Sequence, residues 1–183
     1  MTAIIETHRE DHLVAWMAAL AITIHIAESA LPSPLPGVKP GLANVVTLLC
    51  LTLFGWNVAA WVTGLRVLVG SLVLGTFLTP TFMLSFSGAV CSLVSMGVLY
   101  KWSSLFPKLA AGPIGYGITA SMAHMCGQFF MAYFLFIPHS ALFRLLPILM
   151  TLALVFGIVS GCIASYVLNR YQHTLDADRA ALE

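Results

Sequence analysis

The chain has 183 residues, of which 60% are hydrophobic and 8% charged, with 8 Lys and Arg against 7 Asp and Glu, and a mean hydropathy of +0.95. A soluble domain carries about a quarter charged residues and fewer than half apolar ones, so this composition excludes one and indicates an integral membrane protein in contact with the lipid bilayer. The near-balanced charge suggests neither nucleic acid nor an anionic membrane surface as a partner.

At about 20 apolar residues per crossing, the length accommodates roughly five to seven spans in a single membrane domain over residues 1–183, and the breaks in the apolar pattern divide it into about six. The first apolar run follows Thr7-His8-Arg9-Glu10-Asp11-His12. It lacks a basic leader and a small-residue cleavage site, and reads as a retained first span near 13–31. Ala15 and Ala19 form an AxxxA face there, suited to close packing inside the bundle or against another membrane protein. His25 and Glu28 follow on one face, one turn apart. Glu6, Glu10, Asp11, Asp176, Asp178 and Glu183 all lie in the two tails, so Glu28 is the one acid in the body. A carboxylate at that depth is costly unless paired or hydrated, which makes it a candidate site residue.

Between Glu28 and Asn44 stand Pro32, Pro34, Pro36 and Pro40. They fix φ and remove backbone donors, giving a stiff, extended connection. Helix is expected to restart near Gly41 as a short second span over 41–55. Its positive N-terminal end, the Lys39 ammonium and the Asn44 amide then converge on one small volume suited to an anionic or polar group. The alternative is a rigid turn whose Lys39 snorkels to headgroups.

The third span, 57–78, carries Arg66 among apolar residues. A guanidinium there needs a counter-ion or carbonyl oxygens, and Glu28 is the available carboxylate. The fourth span is expected over 81–100 and the fifth over 114–137, where His124 and Gln128 share a face. Both side chains donate and accept, which suits either recognition of a small molecule or hydrogen bonding between helices. The sixth span, 141–169, is long enough to project beyond the bilayer, and its Gly157 and Gly161 permit close helix approach. Cys50, Cys91, Cys126 and Cys162 are too widely spaced for a CxxC motif and read as small buried hydrophobes. No ligand spacing for a metal, and no motif for a cofactor, is present.

With six spans, Arg9, Lys101, Lys108, Arg170 and Arg179 fall on the side of the termini, and Lys39 and Arg144 on the other. The positive-inside rule then places both termini in the cytoplasm and the protein in the cell (inner) membrane.

These residues resemble those of the Gx transporter family, also labelled heptaprenyl diphosphate synthase component I, within the wider group of ECF transporter substrate-binding (S) components. The resemblance rests on Glu28, the stretch Leu35-Pro-Gly-Val-Lys-Pro-Gly-Leu-Ala-Asn44, Leu65-Arg66, Ser87-Gly88 and His124-Met-Cys-Gly-Gln128, and covers about residues 13–168. Pro40 departs from the leucine usual in the family pattern. The resemblance implies a six-helix S-component-like bundle with cytoplasmic termini and a ligand site toward the outer face, beneath the connection between spans one and two. It further implies docking through Ala15 and Ala19 onto a membrane coupling protein that works with ATPases.

Chemistry bounds what this chain does by itself. Prenyl diphosphate synthases hold Mg²⁺-diphosphate through aspartate clusters because the hard cation wants several carboxylate oxygens. Asp11, Asp176 and Asp178 are the only aspartates and form no DDxxD cluster. There is also no P-loop, so the chain is not expected to be an enzyme. The leading expectation is a binding and uptake module for a small polar or anionic molecule, held by Glu28, Lys39, Asn44, Arg66, His124 and Gln128 and energised by a partner. Two alternatives stand beside it: a membrane subunit of an electron-transfer assembly with a flavoprotein partner, and an accessory subunit in isoprenoid metabolism.

Overall fold

The computed structural model describes the backbone of residues 9–29 and 44–180, with side chains over 11–29 and 44–174. Six α-helices run through it: α1 (Arg9–Ser29), α2 (Asn44–Phe54), α3 (Trp56–Val73), α4 (Pro80–Leu105), α5 (Pro113–Met131) and α6 (Leu146–Ala180). Among the described residues there is no strand.

Four segments, Asp11–Ser29, Trp56–Val73, Pro80–Leu105 and Ser140–Thr174, are long and apolar enough to cross a membrane, yet only 22–44% of each is buried inside the protein. The remaining apolar surface, including Trp61, Leu72, Val94, Leu105 and Val155, is far more than a water-soluble monomer exposes. It is surface for lipid, and the chain is an all-α membrane protein. The interior follows the opposite logic from a soluble core: polar side chains gather inside, where helices satisfy one another.

α2 has 11 residues, about 16 Å of helix, half of the ~30 Å hydrocarbon layer. It can be short because it is enclosed by α1, α3, α5 and α6, with Val46, Leu48, Cys50 and Leu51 all almost fully buried. Gly55 alone links it to α3, at φ +87°, a conformation open to glycine. α2 and α3 therefore lie antiparallel, joined by Thr47 and Thr63 hydroxyls 3.0 Å apart. α4 and α5, then α5 and α6, continue the alternation and form the most extensive helix contacts. One end of the bundle thus gathers the C-terminal ends of α1, α3 and α5 and the N-terminal ends of α2, α4 and α6.

Several helix ends differ from the expected spans. The third span was expected to reach Leu78, but α3 ends at Val73. Gly75, at φ +66°, closes it in a Schellman motif, with Gly75 N–H donating to the Leu72 carbonyl at 3.1 Å and Thr76 N–H to the Ser71 carbonyl at 2.8 Å. Pro80 then occupies the first turn of α4, the position where a missing N–H costs nothing. α4 runs past the expected stop at Tyr100 to Leu105, because no breaker intervenes before Pro107. The fifth span, expected to Ile137, leaves α-helical geometry after Met131 and passes through a π-turn over Ala132–Phe136. α6 continues to Ala180 because the segment after Asn169 contains neither Gly nor Pro. Cys91 and Cys162 are exposed and Cys126 half-buried; of the four cysteines only Cys50 is the fully buried hydrophobe expected, since the other three lie on helix faces turned outward.

Candidate functional site

Buried polar side chains concentrate in the half of the bundle where α1 ends and α2 begins. His25, Glu28, Asn44, Arg66, His124 and Gln128 are each at most 6% exposed. Lys39 and the proline-rich stretch lie outside the described residues.

Two groups form within this half. In the first, spanning α1, α2 and α3, Arg66 Nη1 donates to Asn44 Oδ1 at 3.2 Å, and Glu28 interacts electrostatically with the same guanidinium. Glu28 thus supplies the charge compensation that a buried cation requires, as its position at the end of the first span suggested. Thr47 and Thr63 lie one turn deeper on the same helices. Gly70, one turn beyond Arg66, meets the His25 ring: a Cβ there would stand 3.0 Å from its Cδ2. Two donors of this group, Asn44 Nδ2 and Arg66 Nε, have no partner among the described residues although both side chains are only 2% exposed. Leaving such a donor unmatched in a dry interior costs of order 1–3 kcal/mol, more when charged. The N-terminal end of α2 adds its positive dipole beside the guanidinium. The unmatched donors therefore favour a hydrogen-bond acceptor beside Arg66 and Asn44.

The second group joins α4 and α5. Gln128 Nε2 and His124 Nε2 are 3.0 Å apart, the i, i+4 pairing anticipated from their spacing. Gly88 on α4 lets them approach, since a Cβ there would fall 2.9 Å from both side chains. Ser87 donates to the Gly127 carbonyl at 3.1 Å, and a Cβ on Gly127 would stand 2.8 Å from the Ser87 carbonyl oxygen. The Ser87-Gly88 and His124–Gln128 motifs are consequently two sides of one helix contact.

Ala15 and Ala19 lie on the outward face of α1 beside Trp16, which is 75% exposed, and Leu20. Ala18 and Ala21 on the opposite face are the buried ones. Of the two uses open to this AxxxA face, packing within the bundle is therefore excluded for the described helices. Sequence reasoning missed the glycine that seats the first group, Gly70 against His25, because a glycine's partner is invisible without the fold. The available signal was spacing: Gly70 is one turn from Arg66.

No group of three His, Cys, Asp or Glu side chains able to hold a metal occurs among the described residues. A groove of about 450 Å³ on the outside of α4 and α5, lined by Cys91, Cys126, Gly127 and Phe130, does not include the site residues.

No curated protein and no solved structure matches the chain significantly. Over residues 17–167, more than three quarters of its length and including every described member of both polar groups, the chain matches the family of heptaprenyl diphosphate synthase component I, and it belongs to that family.

Proposed function

We propose that this protein is a non-catalytic membrane subunit that binds a small polar or anionic molecule and works with a protein partner in its uptake across the cell membrane. The observation that carries the reading is the pair of buried donors, Asn44 Nδ2 and Arg66 Nε, beside a guanidinium at the N-terminal end of α2. A ligand oxygen would satisfy both donors beside the positive end of the α2 dipole. His124 and Gln128, in the same half, offer further donors and acceptors for orientation. Lys39 would close the site from the connection between α1 and α2. Release inward would be energised by a membrane coupling protein with ATPases, docked on the outward face of α1. This corresponds to an ECF S component, with both termini cytoplasmic.

The family description favours a second reading, an accessory subunit in isoprenoid diphosphate metabolism. There the same donors would receive a diphosphate. The absence of an aspartate cluster argues that prenyl transfer would belong to the partner.

Thermal unfolding of the purified protein against vitamins, nucleobases, flavins and isoprenyl diphosphates tests both. A ligand that raises the melting temperature of the native chain, and does so less for Asn44→Ala and Arg66→Lys, supports binding. An isoprenyl diphosphate as the sole stabiliser selects the second reading. No stabilisation by any member counts against both.

A further inference from the structure

A second feature lies at the opposite end of the bundle, where α1 begins and α6 ends. Trp56, the first residue of α3, lays its indole across Gly97 of α4, so closely that a Cβ at Gly97 would collide with ring atoms Cζ3 and Cη2. Beside this contact is a niche of about 480 Å³ lined by Trp56, Val94, Gly97, Val98, Tyr100 and Lys101.

Its depth in the bilayer follows from helix geometry. Pro80 and Lys101 are 21 residues apart on one helix, about 32 Å at 1.5 Å per residue, which matches the hydrocarbon thickness. With the N-terminal end of α4 at one interface, Lys101 stands at the other. Trp56, Tyr100, Trp102 and Phe106 surround it at this level, the arrangement of an aromatic belt. Lys108 and Arg170 belong to the same end of the bundle. Val98 and Val94, one and two turns below the rim, are 64% and 55% exposed, so the niche opens sideways to the acyl region. Its lining has no acidic side chain, and Glu28, the acid of the body, is at the other end.

We propose that this niche is a binding site for an anionic glycerophospholipid of that leaflet. The phosphate pairs with Lys101 at the rim, the Tyr100 hydroxyl and Trp56 indole lie at headgroup level, and an acyl chain runs down Val98 and Val94 beside the indole that covers Gly97. Opening to the side, with an apolar floor and a cationic rim, fits a molecule arriving from the bilayer with one charged end.

The test uses the full chain in nanodiscs of equal phosphatidylglycerol and phosphatidylcholine, with retained lipid counted by native mass spectrometry after transfer to detergent. Wild type should keep phosphatidylglycerol preferentially. Lys101→Gln should reduce that preference roughly fivefold, the effect of one lysine at an anionic surface, while Lys101→Arg restores it. Gly97→Ala, which pushes the indole into the niche, should release the lipid altogether. Equal retention of both lipids by wild type, or an unchanged preference in Lys101→Gln, overturns the proposal. Should Gly97→Ala fail to fold, the Lys101 pair decides alone, since that side chain is exposed and carries no packing role.

Discussion

Arg66 and Asn44, 22 positions apart in sequence, are joined by a 3.2 Å hydrogen bond from Nη1 to Oδ1, and Glu28 of a third helix acts on the same guanidinium. Three helices thus share one buried charge network, and the loss of one member strands the others.

Arg66→Ala should therefore destabilise the protein by about 3–5 kcal/mol, the cost of a buried charge left without its partner. Combining it with Glu28→Gln should recover part of that loss, because the stranded carboxylate is then neutral. Reversible unfolding in mixed micelles of the two single variants and the double variant measures the coupling. Strict additivity would show that the two side chains do not interact.

Glycine substitutions should separate by what their new Cβ meets. At Gly117 it would stand 2.7 Å from the backbone nitrogen of Gly161 and closer still to the Gly157 carbonyl oxygen, and backbone cannot yield as a side chain can. Gly117→Ala should cost about 1–3 kcal/mol by forcing α5 and α6 apart. At Gly64 nothing lies within 4 Å, so Gly64→Ala should stabilise α3 by about 0.5–1 kcal/mol through helix propensity. Melting temperatures of the two variants, measured side by side, should move in opposite directions.

The sequence made legible whatever depends on local chemistry and on scarcity. Composition identified a helical membrane protein, and a single body carboxylate beside a single intramembrane guanidinium indicated that Glu28 and Arg66 belong together. The i, i+4 spacing of His124 and Gln128 anticipated their contact. Less legible was whatever depends on which faces meet. Asn44 as the hydrogen-bond partner of Arg66, Gly88 as the seat of the His124–Gln128 pair and Gly70 against His25 all follow from helix packing, which no local pattern encodes. The overextended third span has a different origin: Leu74-Gly75-Thr76 is apolar enough to continue a membrane helix, and only the left-handed Gly75 reveals the stop.

Gly88→Ala should disturb the second polar group without touching its polar atoms. The added methyl lands 2.9 Å from both His124 and Gln128, which must rotate away and lose their 3.0 Å contact. Overpacking of this kind costs about 1–3 kcal/mol. The imidazole resonances of His124 should shift in the NMR spectrum, and ligand stabilisation should weaken if this pair orients the ligand. Unchanged His124 resonances would mean that α4 moves instead, leaving the pair intact.

The outward face of α1 yields a prediction in which stability and association part company. Ala15 and Ala19 are exposed on one side of the helix, next to Trp16 and Leu20, while Ala18 and Ala21 pack inward. Small residues on an outward face let a second helix approach until backbones touch, and a large side chain there removes that option without entering the core. Ala19→Trp should leave the melting temperature of the isolated chain within about 2 °C, as expected for surface substitutions of under ~0.5 kcal/mol. With the docking proposed above, wild type should bring a membrane partner along on gentle extraction, and the same variant should lose it. Ala21→Trp, aimed into the bundle where its parent is fully buried, provides the opposite control: it should lower the melting temperature whether or not a partner is present. Retention of the partner by Ala19→Trp would move the docking surface to another face of the bundle.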